Sequence, residues 1–468
     1  MERFDLAVIG AGPAGMTTAS QAASLGLRVA LLDEQPRAGG QIYRDVDRVK
    51  PARAAILGQD YTYGKRLTYQ LARESLVHFT EAMVWSIEDG FRVFFTKAGN
   101  GAKVVADKVV LATGALERPM PVPGWTLPGV MTAGAGQILL KQSGVLARNA
   151  VLVGSGPLLY LTAAQMVRAG SPPVALIETQ TRADLISAMR HLGGAMRGWQ
   201  YLMKGLRLLS EITRAGVPRY VSATNIAIEG QDTAEAISFT TNGKQHRIAC
   251  STVFLHHGIV PNTQAARSLG AIHCWDDRQA CFTPKLDEWC RTNVRGLYVV
   301  GDGGGIAGAK AAEISGRLVA LKLAEETGYL PVAERDSRAR LLRSALVREH
   351  AVRPFLDVAY PPYAAALTPD DGTIVCRCEE VTAGDIRGYA KLGCRGPNQT
   401  KAFGRAGMGP CQGRYCGLTV TALLAQVHGQ TPDDTGYYRI RPPLKPVTLG
   451  ELAAMSDPEH DIGAETSF

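Results

Sequence analysis

Apolar residues run almost unbroken from 4 to 9, which predicts a strand covered on both faces. Small and apolar residues at helical spacing over 14–25 predict a helix, and the run 27–32 predicts a second strand. Residues 76–112 read as short strands and turns that close on Val109-Val110-Leu111-Ala112-Thr113-Gly114. The opening order then repeats, with a strand over 150–153, glycines at 154 and 156, a helix to about 169 and a strand over 174–177. This repeat is the internal duplication of the chain. Amphipathic helical spacing follows over 181–216, with strands near 226–228, 236–240 and 252–256. The apolar run 297–300 ends in Gly301-Asp302 and leads into a helix from about 307. Strand–helix–strand alternation predicts an α/β fold of parallel sheets with helices on both faces.

Composition removes several classes. The chain has 468 residues, 46% of them hydrophobic, enough to build cores and exclude disorder throughout. No apolar run approaches the roughly 20 residues that span a bilayer, so a transmembrane protein is excluded. Met1-Glu2-Arg3-Phe4-Asp5 runs straight into the first strand and leaves no room for a signal peptide, so a cytoplasmic location is expected. The formal charge of +8 is spread out. Its two mild concentrations, 182–219 and 335–353, alternate with apolar residues as a solvated or docking helix face would, which argues against nucleic acid as a partner. Nine cysteines do not make a simple disulfide framework, and five of them crowd into 376–416.

Gly10-Ala11-Gly12-Pro13-Ala14-Gly15 lies between a strand and a helix. Gly10 allows the tight turn, Gly12 lets backbone approach a pyrophosphate, and Gly15 lets the helix pack on the strand. The phosphates then meet the helix N-terminus. Asp33 ends the second strand 18 residues after Gly15, where a carboxylate accepts from ribose hydroxyls, and Glu34 competes for that role. In the second turn, Gly154-Ser155-Gly156-Pro157-Leu158-Leu159, leucine stands at the third glycine position. Glu178 ends the next strand and suits a ribose 2′-hydroxyl better than a 2′-phosphate.

The pairing of Thr113-Gly114 with Gly301-Asp302, about 190 residues later, resembles the glutathione-reductase-like flavoproteins with two dinucleotide-binding domains. The resemblance implies FAD in the first site. Gly301-Asp302 would then lie near its ribityl and phosphate groups, and Gly39-Gly40-Gln41 along its isoalloxazine. It implies a nicotinamide cofactor or another adenine nucleotide in the second site. No Cys-x-x-Cys occurs, which excludes dithiol–disulfide exchange.

Cys376-Arg377-Cys378, 32 intervening residues and Cys411-Gln412-Gly413-Arg414-Tyr415-Cys416 give a C-x-C…C-x₄-C set. Four thiolates satisfy a [2Fe–2S] cluster, and the glycine-rich loop 404–413 can turn N–H groups toward sulfides. Structural zinc is the alternative, although it prefers shorter spacers. Cys394 is surplus, a buried thiol. The set resembles the bacterioferritin-associated-ferredoxin type of [2Fe–2S] domain.

The whole chain resembles the A (α) subunits of heteromeric FAD-dependent opine and D-hydroxyproline dehydrogenases. The resemblance rests on residues 124–134, on His256-His257-Gly258, on Arg405-Ala406-Gly407-Met408-Gly409-Pro410-Cys411-Gln412-Gly413-Arg414 and on Tyr437-Tyr438-Arg439-Ile440-Arg441-Pro442-Pro443. It implies a catalytic flavoprotein β subunit that oxidises the C–N bond of an opine or amino acid, a small γ subunit, and a further flavin, FMN, at a subunit interface. The expected architecture is an FAD domain in two segments (1–120 and 260–330), a second nucleotide-binding domain (121–259), a linker (331–370) marked by Pro354, Tyr360, Pro361, Pro362 and Tyr363, a [2Fe–2S] domain (371–430) and a tail (431–468). His256 and His257 read as satisfied strand-end residues, and no catalytic residue is assigned. The competing reading is a self-sufficient NAD(P)H-dependent flavin and iron–sulfur oxidoreductase.

Overall fold

The computed structural model describes residues 2–455, so the end of the expected tail, 456–468, lies outside the described residues. Its first sheet has the strand order Leu76–Phe79, Val29–Leu32, Arg3–Ile9, Asn100–Leu111, Arg92–Lys97, Met83–Glu88. Leu297–Val299 pairs in parallel with Asn100–Leu111, so residues distant in the chain complete this sheet. The central strands are parallel, and the hairpin Met83–Glu88/Arg92–Lys97 joins antiparallel. The parallel strands are buried on both faces, as their continuous apolar runs require.

Helices Pro13–Ser24 and Ala309–Glu326 cross on one face with backbones nearly touching. A Cβ on Gly316 would lie 2.5 Å from the Ala14 carbonyl oxygen, and Thr18 Oγ1 donates to Ala14 O (2.8 Å) and Gly316 O (3.3 Å). Glycine at 316 is therefore what permits the crossing.

The second sheet is wholly parallel, in the order Arg219–Tyr220, Ala175–Glu178, Ala150–Gly154, Thr252–His256, Val130–Thr132. An antiparallel sheet, Thr224–Glu229, Ala236–Thr241, Lys244–Ala249, covers it. Lys244–Ala249 was not expected, because its alternation is polar and leaves one face exposed.

Residues 331–370 hold the expected basic helix, Val332–His350, and the Pro- and Tyr-containing stretch after it adds two short helices, Arg353–Ala359 and Ala364–Leu367. The Arg335 and Arg343 guanidinium groups stand 4.8 and 4.4 Å from the Trp289 ring centroid, which docks this basic helix on the first domain. The cysteine module shares one buried apolar cluster with the first sheet, joining Phe4, Val109 and Leu297 to Val375, Ile386 and Leu423. Residues 437–444 carry no clear period, yet Tyr438, Ile440 and Leu444 are buried in that same cluster. Trp125 Nε1 donates to Ile374 O (2.7 Å) and Leu444 N to Trp85 O (2.7 Å). Among the described residues no helix is long and apolar enough to cross a membrane.

Candidate functional site

The parallel strands of the first sheet end at Ile9, Leu32, Leu111 and Val299, and the expected site residues gather at these C-terminal ends. Gly10 has φ +104°, and a Cβ there would lie 2.5 Å from Ala112 O. A Cβ on Gly15 would fall 1.8 Å from Gly10 O. Gly12 differs, because its Cβ would meet nothing nearer than Gly40 Cα at 3.8 Å. Helix Pro13–Ser24 starts there without a side-chain cap. Its first-turn N–H groups are left for a ligand, which fits a dinucleotide pyrophosphate. Gly301 packs on the same helix, since its Cβ would stand 2.8 Å from Ala14 Cβ. Asp302 Oδ1 accepts from Ala307 N and Gly308 N (both 2.9 Å) and shapes the turn into helix Ala309–Glu326, which is also uncapped. Thr113 Oγ1 donates to Asn262 O (3.2 Å), and Asn262 N donates to Gly114 O (3.0 Å).

The two acidic candidates separate. Asp33 is buried, and its carboxylate accepts from Ala11 N (2.5 Å) and Gln35 N (2.8 Å), tying the glycine turn to the second strand. Glu34 is ion-paired to Lys445 of the tail. Beside them lies a residue that sequence reasoning missed. Lys141 is buried and donates to Gln41 O (2.9 Å) and Gln137 Oε1 (2.7 Å). Burial, helped by the Arg44 charge, lowers its pKa to about 7. A lysine on an amphipathic helix reads as solvated, so only its unusual neighbourhood marks it out.

The second glycine turn has the same strand–turn–helix geometry but a filled cleft. A Cβ on Gly154 would lie 1.6 Å from His256 O, and Gly156 (φ +114°) faces the His256 ring. Leu159, in the third-glycine position, is completely buried in the helix–sheet core. Glu178, expected at ribose hydroxyls, is instead completely buried, and both its oxygens accept from Arg219 Nη2 at 2.9 Å. A buried carboxylate needs such a cation, and no part of Glu178 is exposed in this fold. Ser155 Oγ donates to Pro361 O (2.9 Å), and Tyr360 packs edge-on to Tyr160. Residues 360–363 thus lie over the turn. His257 holds Pro119 O through Nε2 (2.7 Å) and accepts from Tyr363 N through Nδ1 (3.2 Å), with burial keeping it neutral. His256 Nδ1 meets Glu117 Oε1 (2.6 Å), whose other oxygen accepts from Gly134 N (2.7 Å). Glu117 was also missed.

In the module, thiols come together in two pairs, Cys376 with Cys416 and Cys378 with Cys411. The Cys416 thiol donates to Cys376, which lowers the Cys376 pKa to about 6 and raises that of Cys416. Gly409 abuts one pair, since a Cβ there would lie 2.2 Å from Cys378 Cβ. Gly407 and Gly413, both at positive φ, lie against the Tyr438 ring. Cys394 stands apart, its thiol on Gly396 O (3.5 Å). Among the described residues no group of three or more His, Cys, Asp or Glu is arranged to hold a metal ion. The donor chemistry fits iron nonetheless, because two thiolates are what each iron of a [2Fe–2S] cluster takes.

Two dinucleotide-type folds, the first open at an uncapped glycine turn, define a flavin-dependent oxidoreductase of the two-domain class. The pyridine nucleotide-disulphide oxidoreductase family matches residues 4–316, and the sarcosine oxidase A3 domain matches 371–456. The opine oxidase A-type polypeptide of Rhizobium meliloti is 43% identical over 99% of this chain and 90% of its own length. That of Agrobacterium tumefaciens (strain Ach5) is 43% identical over 99% and 94%. The solved L-proline dehydrogenase from P. horikoshii shares the fold, with a TM-score of 0.69 at 20% identity over 96% of this chain and 80% of that one. The chain belongs to the family of opine oxidase A subunits.

Proposed function

We propose that this chain is the electron-transferring subunit of a heteromeric opine or amino-acid dehydrogenase, in which a partner subunit oxidises a secondary amine. The observation that carries the reading is the burial of the cysteine module against the FAD-type sheet within one apolar cluster. FAD bound in the first site would supply a two-electron acceptor able to release electrons singly, and a [2Fe–2S] cluster would supply a one-electron carrier. Gly10, Gly12, Pro13, Ala14, Gly15, Gly40, Gln41, Thr113, Gly114, Gly301 and Asp302 would hold the FAD, with Asp33 fixing the turn. Cys376, Cys378, Cys411 and Cys416 would hold the cluster. Lys141 holds the Gln41 carbonyl, and with it the segment that flanks the flavin.

The names of the relatives support a complex with other subunits and an opine as substrate. A self-sufficient NAD(P)H enzyme is disfavoured, because Glu178 is spent on Arg219 and residues 360–363 lie over the second turn. The test is to assay the purified chain, with FAD and iron confirmed, against octopine, nopaline, hydroxyproline and proline using an artificial dye. The complex with its partner subunits is assayed in parallel. Turnover by the complex alone is expected. Equal turnover by the isolated chain would overturn the reading.

A further inference from the structure

Between Ala175–Glu178 and Arg219–Tyr220 the chain leaves the second sheet as three α-helices, Arg182–Ala188, Leu192–Arg197 and Trp199–Arg214. This excursion turns large apolar side chains to solvent, with Ile186 72% and Trp199 61% exposed. Met189, Met196, Met203 and Leu206 are exposed with them. Helix Trp199–Arg214 buries Leu208 and Ile212 and packs Leu209 against the same core, while Trp199, Met203 and Leu206 stay exposed. Apolar exposure on this scale marks an interaction site.

The charges on the excursion are one-sided. Its carboxylates are occupied, Asp184 in the capping box with Thr181 and Glu211 on Arg168 (2.7 Å). Lys204 is spent on Asp60 (2.5 Å). Arg182, Arg190, Arg197 and Arg207 are exposed and have no carboxylate partner among the described residues. Methionine, tryptophan and arginine with few free carboxylates are the composition of a protein–protein interface, and Trp and Arg are its usual anchors. A helix that lies in a lipid interface carries its apolar side chains along its own face. Here glycines at 193, 194 and 198 precede Trp199–Arg214, and the exposed apolar side chains are spread over more than one helix.

The face is also tied to the first domain. Tyr201, on helix Trp199–Arg214, lies beneath Lys310 Nζ (5.8 Å to the ring centroid) and bonds Glu349. Lys310 is the second residue of helix Ala309–Glu326, directly after the turn that Asp302 shapes.

We infer that this excursion is the docking surface for the catalytic subunit of the complex, which would present an apolar patch ringed by carboxylates. The inference rests on the proposed function. Its test co-expresses the tagged chain with the partner subunits and compares wild type with the double substitution Ile186→Glu, Trp199→Glu. The captured subunit is identified by mass and by amine:dye activity. The expected result is at least tenfold weaker capture and activity in the variant, with FAD content and circular dichroism unchanged. A charge reversal, Arg197→Glu with Arg207→Glu, should weaken capture likewise and serves if the first variant does not fold. Capture at wild-type level by folded variants overturns the docking surface and leaves the proposed function standing. Wild type that captures no catalytic subunit overturns both. Variants that keep the partner but lose self-association, or lose flotation with phosphatidylglycerol vesicles, give the face to a second copy or to lipid and also overturn the inference.

Discussion

Lys141 is the residue whose chemistry departs furthest from its type. An exposed lysine stays charged to about pH 10.4, but this one is buried with a pKa near 7. Between those two values the unfolded chain holds a proton that the folded chain has released. Stability therefore rises with pH across that window, and the full penalty applies below it. Relative to a Lys141→Met variant, the wild type should gain roughly 1 kcal/mol per pH unit from about pH 7 toward 10. Denaturant midpoints of the two proteins at pH 7, 8 and 9 check this. Parallel pH dependence would mean that the lysine stays charged when folded.

Strand–turn–helix is the element that makes the flavin site, and its glycines do different jobs. Gly15 and Gly10 are required by packing, because a side chain there meets backbone. Gly12 is required only by the ligand, since a Cβ has room at 3.8 Å from Gly40 Cα. Gly12→Val should thus fold, with a melting temperature close to wild type, yet lack bound FAD. Stoichiometric flavin absorbance in that variant would rule out the site. The cysteine module makes a similar contrast between thiols. Cys411→Ser removes one of the two thiol pairs and should lose most of the iron and visible absorbance. Cys394→Ser, which removes a thiol bonded to Gly396 O, should lose neither. Iron analysis of both variants decides whether Cys394 is a ligand.

At the scale of the whole molecule, the first glycine turn has room at Gly12, the second is lined by the chain's own groups, and the thiol module sits on the first sheet. Rapid mixing of the FAD-loaded chain with excess NADH should therefore leave the flavin absorbance unbleached within the time of one catalytic turnover. Fast bleaching would show that residues 360–363 move aside and that Glu178 gives up Arg219.

The glycine turns, the strand–helix alternation and the cysteine spacing were readable because each is local. A turn, a helix phase or a C-x-C pair is written within a few residues, and composition alone sets its geometry. What the residues beside them do was not readable. Lys141 meets Gln41 from 100 positions away, and His256 meets Glu117 from 139. Glu178 had the right place in its motif for a ribose, and Arg219, 41 residues on, took the carboxylate. Residues 437–444 carry no period because single side chains, Tyr438 above all, fit between loops rather than along an element. Local chemistry decided which folds could form. Burial, and the partner each buried charge must find, decided what remained free to act.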